Sequence, residues 1–241
     1  LTIAVNLGQD MVGQWVYGKV RLSSSGLPDA VFPVAVYASG GVLPDEWRIR
    51  STDNSGYRDM PLEDLVAMPD ATFTSGGLVV PTETTELLPQ DPTDDDPYDS
   101  TEGVMVVWHT VAADTLWLHT ETLASTSSDL DLFVGLDTNG DGIPQESEEL
   151  CNSTSPTDIE FCDLFSPVAG EYWVVVQNWE ATNSLDLVTL KSAVVGHDTD
   201  SLLMASGDGI VPAGANQKIR VSWDNVSAVP GTEMMGAVGI G

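Results

Sequence analysis

Asp137, Asn139 and Asp141 stand at alternate positions, followed by Gly142 and, further on, Glu148, and this spacing reproduces the D-x-[DN]-x-[DN]-G-x5-E pattern of a calcium loop. A hard cation takes six to eight oxygens on one small shell, so donors recur at every second residue while the chain curls around the ion. The pattern assigns side-chain oxygens to Asp137, Asn139 and Asp141, the backbone carbonyl to Ile143, and two closing carboxylate oxygens to Glu148. Glu146 and Glu149 stand close enough to replace Glu148. The expected ligand is therefore Ca2+, bound loosely, because an isolated loop is poorly preorganised.

What precedes the loop sets its context. Leu130, Leu132 and Val134 alternate with Asp129, Asp131 and Phe133, the period-two signature of a half-buried strand. Pro144 removes a backbone N–H that an EF-hand loop would give to its partner loop, so the pattern predicts a lone loop at the end of a strand. Cys151 and Cys162 follow, the only cysteines in the chain, with neither the histidines of a zinc shell nor a C-x-x-C redox spacing beside them. They are expected to form a disulfide, which implies an oxidising compartment.

Other residues that do chemistry are not arranged for it. His109, His119 and His197 are isolated in sequence, and no G-x-S-x-G elbow or H-E-x-x-H helix occurs. With 37 acidic residues, pairs of carboxylates are inevitable and carry no message about glycoside chemistry. The chain is read as non-enzymatic. Trp173 and Trp179, an even spacing apart in one strand, are expected on one face as a candidate ligand surface; Trp108 and Trp117 are expected in the interior.

The elements that must position these residues are strands. In 241 residues there are 14 prolines and 22 glycines and few long helical patterns, which points to an all-β chain. Candidate strands cover 2–6, 15–22, 30–37, 104–111, 115–123, 129–136, 172–179 and 184–195, with a hairpin over 47–60 turning at 54–56. Residues 61–68 allow at most a helical turn or two, and the aspartate-rich 90–103 is read as a solvated loop in preference to a second calcium site, because it lacks the alternating ligand spacing. KIRVSW (218–223) aligns with TIAVNL (2–7), and MGAVGI (235–240) with YGKVRL (17–22), which suggests two copies of one module. A net charge of -29 disfavours nucleic acid and anionic membrane surfaces as partners, and no apolar run reaches the length of a membrane span.

The central segment resembles the bacterial pre-peptidase C-terminal domain. The likeness lies in DLDLFVG (129–135), DTNGDG (137–142), the ELC and EFC blocks around the two cysteines, and SPVAGEYWVVVQNW (166–179). The flanks are similar to fibronectin-type-III-like sandwiches of secreted subtilisin-like serine peptidases, in the G-x-V-x-L strand at 18–22 and the P-V-A-V strand at 33–36. The resemblance implies an antiparallel, jelly-roll-like β-sandwich over 45–196, with immunoglobulin-like or fibronectin-III-like pieces over 1–44 and 197–241. It also implies a bacterial, extracellular location, and a non-catalytic role in secretion, maturation or attachment to a polymeric substrate beside a peptidase domain of the same chain. The expected alternatives are a polymer-binding module and a calcium-stiffened repeat of a surface adhesin.

Overall fold

The computed structural model describes residues 15–24, 27–37, 41, 46–93, 96–99, 102–197 and 202–241. The 2–6 strand and most of the 40–47 linker lie outside these residues, so the aligned repeat is described in its second copy and in β1 (Trp15–Ser24). β1 pairs antiparallel with β2 (Leu27–Tyr37), as the two short apolar runs predict.

The core of the chain is an eight-stranded sandwich. Its strands are β5 (Thr82–Leu88), β6 (Val104–Val111), β7 (Thr115–Leu123), β8 (Asp129–Leu136), β9 (Glu149–Ser153), β10 (Phe161–Phe165), β11 (Gly170–Glu180) and β12 (Asp186–Gly196). One sheet has the order β10-β7-β12-β5 and the other β6-β11-β8-β9, with antiparallel pairing throughout. Numbered from the first of the eight, these orders are 6-3-8-1 and 2-7-4-5, the connectivity of a jelly roll. Alternation along each strand fills the space between the sheets. Leu130, Leu132 and Val134 of β8 meet Tyr172, Val174 and Val176 of β11 and Leu118, Val188 and Leu190 of the facing sheet, all almost fully buried.

The chain divides into two units, one of Leu1–Phe73, Ala205–Asp224 and Ile240–Gly241 and the other of Thr74–Met204 and Asn225–Gly239. Strand pairing draws the first unit together. β3 (Gly56–Leu65) bonds along its length to β14 (Ala215–Trp223), itself next to β13 (Leu203–Ser206), so segments far apart in sequence build one sheet. Leu62, Leu65, Leu203, Ile219, Val221 and Trp223 are its buried apolar side chains, and Met68 and Val211, joined by an isolated bridge, are buried as well. Likewise β15 (Met235–Ile240) pairs with β4 (Phe73–Val79).

Two local expectations are corrected here. Residues 47–55 form no strand, so there is no hairpin over 47–60, and 61–68 is not helical because its first half continues β3. Pro61 is accommodated since β3 ends its sheet, where a missing N–H costs no ladder bond on the open side.

Candidate functional site

β8 delivers the chain to the 137–148 loop, and the loop is wound by its own side chains. Gly140 N–H and Gly142 N–H donate to the two oxygens of Asp137 at 2.6 and 3.0 Å. Asp141 N–H donates to Asn139 Oδ1 at 2.8 Å, and Ile143 N–H to Asp141 Oδ1 at 2.9 Å. Asp141 Oδ2 receives Asn139 Nδ2 and Gln145 Nε2. Gly140 and Gly142 both adopt positive φ, 73° and 71°, a backbone that side-chain-bearing residues resist. The exposed donor set is all oxygen, carboxylates and a carboxamide at alternate positions, which is the chemistry a hard cation requires.

Glu148 takes a different position from its partners in the motif. It is 5% exposed, in a short 3-10 turn beneath the loop. Its Oε1 accepts Thr138 N–H at 2.8 Å, Thr138 Oγ1–H at 2.9 Å and Asn139 N–H at 3.3 Å, and Oε2 faces the Trp173 indole N–H at 3.4 Å. With Oε1 shared among three donors, Glu148 does not offer two free oxygens; it ties the loop to the sheet. Glu149 is held by Tyr98 Oη–H at 2.7 Å and by Asn152. Glu146 lines a cleft with Asp96, Pro97, Tyr98, Ile143, Pro144 and Gln145. Among the described residues no three His, Cys, Asp or Glu side chains converge as a ready metal-holding group.

Beneath the loop lies a second apolar layer on the outer face of the sheet. Trp173 is fully buried there with Val104 and Val175, under Tyr98 and Phe133. Tyr98 meets the Trp173 ring edge-on at 5.6 Å, and the Tyr98 hydroxyl is pushed far up by burial and by the Glu149 carboxylate. Trp173 is therefore removed from any ligand surface. Trp179 remains partly exposed, but a register shift between Gln177 and Glu180 breaks the alternation that would have matched the two tryptophans. The acidic 90–103 loop is not simply solvated either: Asp91 is buried and accepts Gln177 Nε2 at 2.7 Å.

Cys151 and Cys162 form the disulfide. β9 ends one sheet and β10 ends the other, so the bond staples two edge strands across the open side of the sandwich.

The histidines have partners that their isolation in sequence concealed. His119 Nδ1 lies 2.7 Å from Asp163 Oδ1, which also accepts the Trp117 indole N–H at 2.7 Å. Its Nε2 is 3.8 Å from Glu121, beyond hydrogen-bond reach but within strong attraction, and Glu121 pairs with Lys191. Burial works against the charge on His119, but the Asp163 bond and the two carboxylates raise it to about 9; the contact with His119 drives Glu121 down to about 2. Burial alone lowers His109. His197 Nδ1 is 3.0 Å from the Ser75 carbonyl. Trp108 and Trp117 belong to outer faces, Trp108 being 37% exposed and Trp117 stacked with the exposed Phe165.

Another group of acids sits at the start of β8. Asp131 is raised to about 7, first by burial and then by the charges of Asp129 and Glu160. Only Tyr98, a lone aromatic inside an aspartate run, marked the covering loop in the sequence; nothing marked the His119 network.

No helix among the described residues is long and apolar enough to cross a membrane. No protein-family model matches the chain, and no curated protein matches it in sequence.

Proposed function

We propose that this chain is a non-catalytic accessory region of a secreted, bacterial subtilisin-like serine peptidase, stabilised by calcium and a disulfide, that aids secretion, maturation or attachment to substrate. The observation that supports this reading is the continuous unit of β8, the 137–148 loop and the Cys151–Cys162 staple on a jelly roll. Those are the segments whose residues resemble the pre-peptidase C-terminal domain. Ca2+ is taken by Asp137, Asn139, Asp141 and the Ile143 carbonyl, with the Oε2 edge of Glu148 as its carboxylate contribution from below. The ion would supply rigidity, replacing the amide contacts among the loop's own side chains with one shared centre. A disulfide of this kind fits an exported protein.

Calorimetric titration tests the metal. Binding to the loop is expected at about 0.1–1 mM, the range of extracellular modules, and Asp141→Ala should remove that equivalent of Ca2+. Chelation should lower the melting temperature. A titration in which Asp141→Ala loses no equivalent of Ca2+ relative to the parent chain would show that the loop is only a turn.

A second reading, attachment to an insoluble carbohydrate or protein, has support of its own. Phe161 and Phe165 project from β10 at 59% and 69% exposure, with Trp117 stacked against Phe165. Retention on the polymer that falls with Phe165→Ala would favour it; retention unchanged by that substitution would remove this face from consideration.

A further inference from the structure

We propose a second divalent-cation site, separate from the 137–148 loop, at Asp129 and Asp131 on β8, with Glu160 supplying charge behind it. Asp129 and Asp131 are two residues apart in one strand and so share a face, opposite to Leu130 and Leu132, which point into the core. Asp129 is 93% buried by difference from its 7% exposure, and its Oδ1 has no hydrogen-bond partner. A buried carboxylate oxygen without a donor is costly, and such an orphan calls for a ligand. The Thr157 backbone relieves part of the cost on Asp129, while the charges of Glu160 and Glu180 add to it. Glu160 is 1% exposed, with its oxygens filled by Ser153 Oγ–H and by Ser155 N–H and Oγ–H, so it contributes negative charge but no donor.

Among the described residues no lysine or arginine forms an ion pair with these carboxylates. Between residues 74 and 204 the sequence holds one lysine and no arginine, and that residue, Lys191, is engaged with Glu121 and Glu233. A hard divalent ion coordinated by two carboxylates, its remaining positions taken by water, satisfies the orphan oxygen and offsets the like charges together. Two protein carboxylates are fewer than a closed cage provides, so water completes the shell.

The test uses the full chain carrying Asp137→Asn and Asp141→Asn, so that the loop site is disabled and its success or failure is scored separately. Ca2+ titrated into this protein should still bind with one equivalent, and the side-chain carboxyl carbon resonances of Asp129 and Asp131 should move with it. Adding Asp131→Asn should weaken the binding at least tenfold. Should that substitution disturb folding, the resonance shifts in the protein retaining Asp131 decide the matter. The proposal is overturned if the loop-disabled protein binds no Ca2+, if Asp131→Asn leaves the affinity unchanged, or if the two carboxyl resonances respond to pH alone, which would mean that protons satisfy the cluster.

Discussion

Replacing Glu148 with alanine isolates what ties the 137–148 loop to the sandwich. The carboxylate accepts two backbone N–H groups, a hydroxyl and, at longer range, the Trp173 indole. The Thr138 hydroxyl can turn to water, whereas the Thr138 amide and the buried indole each lose the acceptor described above. At about 1–3 kcal/mol for each stranded donor, with the long indole contact counted at the low end, the loss comes to about 2–4 kcal/mol. For a unit of this size each kilocalorie displaces the midpoint by about 3–4 °C, so melting should fall by roughly 6–16 °C. Thermal unfolding followed by circular dichroism in chelator measures this without any contribution from metal. A loss below about 1 kcal/mol would refute the assignment of Glu148 as the tie between the loop and the sandwich.

Three other outcomes follow from the same geometry. Reducing the disulfide, or making the Cys151→Ser and Cys162→Ser pair, opens a loop with a sequence separation of 11 and should cost about 3 kcal/mol by chain entropy, read as a shifted denaturant midpoint. The folded-state value of His119 is raised, so its stabilisation is complete below about pH 6.5 and is lost as pH rises through about 9; unfolding measured from pH 6 to 10 should show a decline of at most roughly 3 kcal/mol that is absent in His119→Gln. Gly135→Ala would place a methyl 2.0 Å from the Trp173 ring and 2.6 Å from the Glu148 carbonyl, and should destabilise by about 2 kcal/mol or more, whereas an equally stable variant would mean that Trp173 is not seated as described.

The strands β6, β7, β8, β11 and β12 were legible because each is long, rich in branched and aromatic residues, and alternates about one buried face. β5 was not, since TETTELL contributes little beyond Leu88 to the core and gains its order from pairing with β12. β9 and β10 are five residues each, and only the cysteines within them hinted that they meet. At the site, the loop spacing was readable residue by residue. The burial of Trp173 was not, because it depends on Tyr98 folding over the outer face of the sheet, and strand alternation predicts which residues share a face but not whether that face is covered. The same limit hid the network around His119: Asp163 lies directly across the pairing on β10, and Lys191, which pairs with Glu121, lies across from Glu121 on β12.

The proposed role turns on what this chain is joined to, and the most direct measurement is the coding sequence read in frame on both sides of these 241 residues. The account predicts a subtilisin-like domain with its Asp, His and Ser blocks in the same polypeptide. A frame holding only further β-sandwich repeats would contradict it and place the chain among structural surface proteins.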